Sequence, residues 1–506
     1  MDAVTKPQPA PETAVTDVDV LVVGAGISGL SAAWHLKERL PHKRFLVLER
    51  EASYGGTWLT HKFPGIRSDS DLYTFGFRFK PWVGPPIATA AEIQAYLGEM
   101  IEENGLDQHI RYNHSIETAE WDSATARWTL TARLPDGSRH RYRANFLWMA
   151  QGYYRHHQGH WPEYPGMDQF KGPILHTEEW DENTNYTGKR VVLIGSGATA
   201  ATVVPAMAEK AAHITMIQRS PTYFMPGRNE NELAELLRPI GVDEATIHDI
   251  VRKKIIFDQD QIVRQCREAP VAVAAELLAG VQALLPEGFD MRHFTPDYRP
   301  WRQRLAFVPD GDLFAGIRAG KADVVTGTIA RFTPDGVEMQ DGTHVPADMI
   351  VLATGFNLCV FGDIAFSIDG KPLDMGDTVT WRGMMFTAVP NLVWVFGYFR
   401  ASWTLRSDMI SEFTCRLLKH MEDKGVDRVE VVLPAKLANA PRGPWADPDD
   451  FNPNYLTRDQ HLLPKTAPGP EWRHTQDYWR EKDEIPRVDL DGPAFAYAKA
   501  QQPVTA

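Results

Sequence analysis

Apolar residues in this chain gather in short runs separated by longer amphipathic stretches. The runs at 18–23 (VDVLVV) and 191–194 (VVLI) are rich in β-branched residues and too short for a helix, so each predicts a strand covered on both faces. Each feeds at once into a glycine-rich turn, Gly24-Ala25-Gly26-Ile27-Ser28-Gly29 in the first case and Gly195-Ser196-Gly197-Ala198-Thr199-Ala200 in the second. A helical pattern occupies 31–40 after the first turn, and a further apolar run comes later in each unit, at 45–48 and at 213–217. The two units also close alike. Asp-Gly turns at Pro135-Asp136-Gly137 and Pro334-Asp335-Gly336 predict hairpins, and each is followed by a buried strand ending on a small-x-Gly element, at 146–152 and 349–355.

A strand, a tight glycine turn and a helix start bring backbone N–H groups and the positive end of the helix dipole to one point, which suits a pyrophosphate. A lone GxGxxG is weak; the strand before it, the helix after it and a fitting residue about 20 positions on strengthen it. In the first unit the later apolar run ends at Glu49, a carboxylate able to accept from both hydroxyls of an adenosine ribose and repelling a 2′-phosphate. In the second it ends at Gln218-Arg219-Ser220, where a guanidinium can clasp that phosphate. The expectation is FAD on Gly24, Gly26, Ser28, Gly29 and Glu49, and NADPH on Gly195, Ser196, Gly197, Ala198, Thr199, Gln218 and Arg219. The predicted class is α/β, with two Rossmann-like dinucleotide-binding domains, and it looks like the duplicated plan of pyridine-nucleotide-linked flavoproteins. Residues 17–157 and 353–506 would form the FAD-binding domain, and 158–352 an NADP-binding domain inserted into it, with a helical insert at about 224–303. Chain crossings then fall near 153–160 and 353–357. Residues 1–16 read as a disordered tail.

Composition narrows the partners. Lys and Arg total 53 against 66 Asp and Glu, a net charge of −13, which argues against nucleic acid and for a small uncharged substrate. The start lacks an apolar signal core, so a cytoplasmic location is expected. No stretch reaches 18 uncharged apolar residues. The nearest, 269–285, is broken by Glu276 and reads as a core or interface helix, leaving peripheral membrane contact open, as it leaves open monomer or homo-oligomer. Cys266, Cys359 and Cys415 form no CxxC pair, so a thiol-disulfide route for flavin electrons has no equipment. His156, His157 and His160 read as a polar surface turn, and no metal site is expected. Electrons reaching the flavin are left with dioxygen as acceptor.

The stretch 170–181 (FKGPILHTEEWD) fits FxGxxxHxxxW followed by Asp and resembles the fingerprint of type I Baeyer–Villiger monooxygenases. Trp180 stands where related flavin-containing monooxygenases usually carry Tyr or Phe. Gly55-Gly56-Thr57-Trp58 and the run 63–73 are similar to the GGTW and PGxRxD elements of that family. The form RSDSDxYTxGFRFxPW at 67–82 resembles the branch containing the mycobacterial ethionamide-activating monooxygenase. Further likeness at 193–223, 348–356 and 401–408 extends it over almost the whole chain after residue 16.

The resemblance implies that NADPH reduces FAD, that reduced flavin takes up O2 as a C4a-peroxide, and that one oxygen atom enters beside a ketone carbonyl to give an ester or lactone, with thioether oxygenation as a side activity. It implies Arg304 as the active-site cation with Asp69 as its partner. FAD contacts are implied for Gly56, Thr57, Trp58, Asp69 and Ile116, and nicotinamide-side contacts for Arg67 and Ser68. His176 and Trp180 are implied at the hinge. Gln303 holds a position near the NADPH phosphate where the family commonly has Lys, which would shift phosphate discrimination onto Arg219, with Arg302 beside it. Trp301, Phe307, Phe399 and Trp403 are candidate pocket walls, 397–407 is expected to bring a helix start toward the flavin, and the tail from 441 is expected to wrap the domains. Two other functions fit the same motifs: a flavin-dependent N- or S-oxygenase, and a non-oxygenating NADPH-flavin reductase or sensor.

Overall fold

Nine strands join in one sheet around the long central strands Val15–Val23 and Arg139–Met149. The computed structural model describes residues 15–500. From one edge the order runs Ile110–Arg111, Phe45–Leu48, Val15–Val23, Arg139–Met149, Arg127–Arg133, Ser115–Asp122, Ala365–Ile368, Lys371–Pro372. The first four are parallel, and Leu21, Val22, Leu147 and Trp148 on the central pair are fully buried, as a sheet covered on both faces requires. Strand Arg139–Met149 forks the sheet. Its first half pairs antiparallel with Arg127–Arg133 across the turn at Gly137, and its last residues pair parallel with Leu392–Trp394. Val15 and Thr16 belong to the first strand, so the expected tail is shorter than 1–16; its first 14 positions lie outside the described residues.

The second sheet has five strands, all parallel, in the order Ala322–Thr326, His213–Gln218, Arg190–Ile194, Met349–Leu352, Ile174–His176. None of its strands comes from outside 174–352. The chain passes between the sheets twice, and the two passages pair with each other: Tyr154–Gly159 runs antiparallel to Phe356–Leu358.

Strand Phe224–Gly227 pairs with Ala306–Pro309 and brackets helices Glu232–Leu237, Glu244–Glu268 and Pro270–Gln282. The 25-residue middle helix docks on the first unit through Arg252, 5% exposed, which donates to the carbonyls of Tyr73, Thr74 and Gly76. Pro270–Gln282, read from the sequence as a core or interface helix, is not a core helix. Its apolar residues surround it instead of forming one stripe, only Val281 is buried, and Val271 is 82% exposed. Beyond 441, Trp445, Phe451, Leu456 and Leu463 pack into the core that holds Trp128 and Trp394. Phe495–Ala498 pairs with Arg428–Val431, and a fully buried Arg406–Glu481 pair at 2.9 Å ties helix Trp403–Lys424 to helix Tyr478–Glu484. Among the described residues no helix is long and apolar enough to cross a membrane.

Candidate active site

The glycines of the two turns divide into those that pack and those that face open space. Gly24 has φ +101°, and a Cβ there would lie 2.7 Å from Ala150 O; a Cβ on Gly29 would lie 1.8 Å from Gly24 O. Gly195 likewise has φ +140° and presses on Ala353 O. The middle glycines differ. A Cβ on Gly26 would find nothing nearer than Gly56 Cα at 3.6 Å, and one on Gly197 nothing within 4 Å. Gly26 and Gly197 are the N-caps of helices Ile27–Arg39 and Ala198–Ala208, neither capped by a side chain, so first-turn N–H groups remain for an anion. Backbone that approaches something no protein atom fills is what a bound pyrophosphate needs, and both turns fit it.

Glu49 is 6% exposed. Its Oε2 accepts from Ala25 N at 2.6 Å and its Oε1 from Glu51 N at 2.9 Å, fixing the carboxylate while leaving lone pairs for a ribose. Burial pushes its pKa up, and the two backbone N–H bonds work against that rise.

One cavity of about 550 Å³ reaches both turns. From the flavin-side expectations it is lined by Gly24, Gly26, Ser28 and Glu49, and further along by Gly56, Thr57, Trp58 and Ile116. Gly197, Ala198 and Thr199 line it from the nucleotide side, with Ser68 and Gln303 between. Arg304 and Asp69 meet on its wall. Arg304 Nε donates to Asp69 Oδ2 at 2.5 Å and Nη2 to Oδ1 at 2.8 Å, a bidentate pair, with weaker contacts to Ser70 Oγ at 3.3 Å and Phe399 O at 3.4 Å. The Arg304 side chain keeps 38% exposure, and it faces the cavity. Burial opposes its charge, but Asp69 outweighs that and raises its pKa. Tyr153 and Tyr455 stand nearby, and burial pushes Tyr153 up to about 12, so the phenols stay neutral.

The rest of the wall is aromatic. Phe399 stacks on Phe451 at 4.6 Å, Tyr153 stacks on Trp403 at 5.2 Å, and Trp403 Nε1 donates to Ser28 Oγ at 2.8 Å from the first turn of its helix. Trp301 and Phe307 do not line the cavity. Phe451, Pro453 and Tyr455 do, from the Pro-rich tail, whose sequence carries no periodic signal to single them out.

Several expected contacts are placed elsewhere. Gln218 is 2% exposed, and its amide donates to His293 O and Thr326 Oγ1, turned away from the cavity by the neighbouring strand. Arg219, next to it, is exposed. Ser196 Oγ is spent on Ser220 O and Thr222 Oγ1, while Gly29 and Gly195 serve packing. Arg67 does not reach the cavity; its guanidinium is held by Asp312.

His176 is 1% exposed at the paired passages. Its Nδ1 accepts from Glu178 N at 3.1 Å, its Nε2 lies 3.3 Å from Thr354 Oγ1, and a Cβ on Gly159 would strike its ring at 1.9 Å. Burial holds its pKa down. Trp180 lies in the nucleotide-side core beside Phe63, edge-on to Tyr186 at 6.3 Å. His156 is not on a surface turn. In strand Tyr154–Gly159 His157 and Gln158 are exposed, but His156 is 8% exposed on the cavity side, its Nδ1 lies 2.6 Å from Thr60 Oγ1, and burial pulls its pKa down to about 3. Beside it His61 Nε2 and Glu178 Oε2 are 2.7 Å apart, both buried and not aligned as a hydrogen bond. Cys266, Cys359 and Cys415 are buried and unpaired.

A family profile described as pyridine nucleotide-disulphide oxidoreductase matches residues 18–269. The chain is 44% identical over 491 residues to the FAD-containing monooxygenase EthA of Mycolicibacterium smegmatis, covering 96% of this chain and 98% of that one. It is 40% identical to the probable FAD-binding monooxygenase AlmA of an Acinetobacter species, covering 95% and 96%. Among solved structures it is similar in fold to an oxidized steroid monooxygenase bound to NADP, with TM-score 0.74, 21% identity and coverage of 96% and 100%. A polycyclic ketone monooxygenase from Thermothelomyces thermophila gives TM-score 0.74 at 19% identity, covering 98% and 91%.

Proposed function

The chain belongs to the family of FAD-containing monooxygenases, and from that premise we propose that it is a type I Baeyer–Villiger monooxygenase, inserting one oxygen atom of O2 beside the carbonyl of a small neutral ketone to give an ester or lactone, with thioether oxygenation alongside. It is an enzyme that uses FAD and NADPH. Residues 15–157 and 353–500 would hold FAD, and 158–352 would hold NADPH.

Bound FAD, reduced by NADPH, supplies the activation of O2. The chain supplies binding, charge and dryness. The turn at Gly26 takes the FAD pyrophosphate on the N–H groups of helix Ile27–Arg39, and Glu49 takes the ribose hydroxyls. Gly197 does the same for NADPH, with the exposed Arg219 placed at the end of its strand for the 2′-phosphate. Arg304 sets a fixed positive charge where negative charge develops on the substrate oxygen, and needs no reorganisation because Asp69 already holds it in two bonds. Phe399, Phe451 and Tyr455 keep bulk water from that charge. The observation that carries the reading is the Arg304–Asp69 pair on the wall of a cavity that reaches both glycine turns.

A panel of linear and cyclic ketones and thioethers, with NADPH consumption, O2 uptake and oxygenated product followed together, tests it. Arg304→Ala should lose ester formation by roughly 10²–10³-fold while NADPH still reduces the flavin. Unchanged ester yield in that variant overturns the assignment. Wild-type enzyme that oxygenates amines or thioethers but no ketone is an N- or S-oxygenase, and NADPH consumption without product marks a reductase.

A further inference from the structure

Residues 63–69 (FPGIRSD) bridge the two units: Ser68 N donates to Ala88 O and Ala90 N to Ile66 O on the first unit, so Arg67 and Asp69 are carried rigidly by it toward the second. Phe63 is 4% exposed inside the core formed with Val191, Leu193 and Val203, and Ile66 packs against the same core. Gly65, at φ +76°, lies on helix Ala198–Ala208 so closely that a Cβ there would be 2.7 Å from Ala206 Cβ and 3.0 Å from Thr202 O. Arg67 follows. Its Nη1 donates to Asp312 Oδ2 at 2.6 Å, and its Nη2 to Oδ1 at 3.3 Å and to Ala201 O at 3.5 Å. Two positions on, Asp69 accepts both bonds of Arg304.

The two pairs have opposite polarity. At the first rung the segment offers a cation to an anion; at the second it offers an anion to a cation. Sliding the segment by one rung would set Arg67 against Arg304 or Asp69 against Asp312, and like charges at that range repel. Only one alignment satisfies both rungs. Both rungs are partly buried, the side chains being 18% and 30% exposed at the first and 38% and 32% at the second, so salt screens them only somewhat less than a fully exposed pair. Asp312 is itself fixed: it opens helix Asp312–Arg318, and its Oδ1 also accepts from Leu313 N at 2.8 Å.

We propose that Arg67 and Asp312 form a register lock, a positioning pair outside the cavity that sets how the two units meet so that Arg304 reaches Asp69 in its two-bonded geometry. This rests on Arg304 being the active-site cation and adds to it a control point that touches neither cofactor nor substrate.

The test uses the flavin-loaded enzyme and two readouts, product formed per NADPH consumed and amide hydrogen exchange of residues 63–69. Arg67→Ala and Asp312→Ala should keep FAD, raise exchange in the segment, and lower product per NADPH by roughly tenfold, the expected scale for a small misplacement of a reacting group. Arg67→Lys keeps the charge pattern but loses the two-pronged contact with Asp312, and should fall between the parent and the alanine variants in both readouts. The double variant Arg67→Asp/Asp312→Arg separates a lock from a simple fastener. It puts two anions on the segment and two cations opposite, so both alignments attract; exchange protection should return while product per NADPH stays low. Full recovery of both readouts overturns the proposal, and so does normal product per NADPH in the alanine variants. If Arg304→Ala keeps ester formation, the site assignment falls on its own, and the exchange data alone then decide whether 67 and 312 lock the units.

Discussion

Replacing the middle glycine of either turn by alanine separates cofactor binding from folding. Gly26 has φ −76° and Gly197 φ −78°, angles alanine adopts without strain, and the added methyl meets no protein atom closer than 3.6 Å at Gly26 and none within 4 Å at Gly197. Stability of the unliganded chain should therefore change little. A methyl group directed at the pyrophosphate pushes it off the helix N-terminus, and each charge-assisted N–H bond lost there is worth about 1.5–3 kcal/mol. Two such bonds amount to about 3–6 kcal/mol, or two to four powers of ten in affinity. Gly26→Ala should purify nearly colourless, and titration of the flavin-free protein should show FAD affinity reduced by that factor, with an unchanged melting curve before FAD is added. Gly197→Ala should stay yellow while its KM for NADPH rises steeply. Gly29→Ala is the contrast, since its methyl would sit 1.8 Å from Gly24 O and must disrupt the turn itself. A Gly26→Ala protein that binds stoichiometric FAD with parental affinity refutes the assignment of that turn to the pyrophosphate.

Arg219→Ala should raise the KM for NADPH by about 10- to 100-fold, the loss of one charge-assisted phosphate contact, and leave the KM for NADH unchanged; equal effects on both would place the 2′-phosphate elsewhere. His156 is held neutral in the fold with a pKa of about 3 against an ordinary 6.5, so between those values the unfolded chain binds the extra proton and stability must fall as pH falls through 6.5. The slope contributed is at most about 1.4 kcal/mol per pH unit, and His156→Asn should flatten the pH dependence of the denaturation midpoint; an unaltered profile would show that the imidazole is hydrated. His61→Ala leaves the buried Glu178 carboxyl facing a cavity with no polar neighbour at 2.7 Å and should destabilise by about 1–3 kcal/mol, whereas His61→Phe with Glu178→Gln should recover most of the loss in thermal melts. Equal melting of His61→Ala and parent would mean that the two side chains do not support each other.

What was legible in the sequence was local. The strands, the glycine turns and Glu49 follow one another within about 30 residues, a span over which backbone geometry dictates residue type. The pairing of Arg304 with Asp69 crosses 235 positions, and nothing in spacing or composition points to it; it came from family resemblance. The same resemblance implies Arg67 on the nicotinamide side, but its partner, Asp312, opens a short helix with no signal of its own. His156 shows a different limit. Three histidines in five positions look like surface until the strand that holds the first two pairs with Phe356–Leu358 and turns His156 toward the cavity. For the apolar helix Pro270–Gln282 the sequence leaves core and interface both open, because hydrophobicity without a stripe does not say what will cover it.

The pairing of Tyr154–Gly159 with Phe356–Leu358 has a topological result. Everything from 160 to 355 enters and leaves through one doorway, and no strand of the nine-stranded sheet is drawn from that interval. The interval is thus a cassette. Ancestral genes could have spliced it in, and a protein engineer could exchange it for a relative's, by rejoining the backbone at neighbouring points without unpicking a single rung of the host sheet.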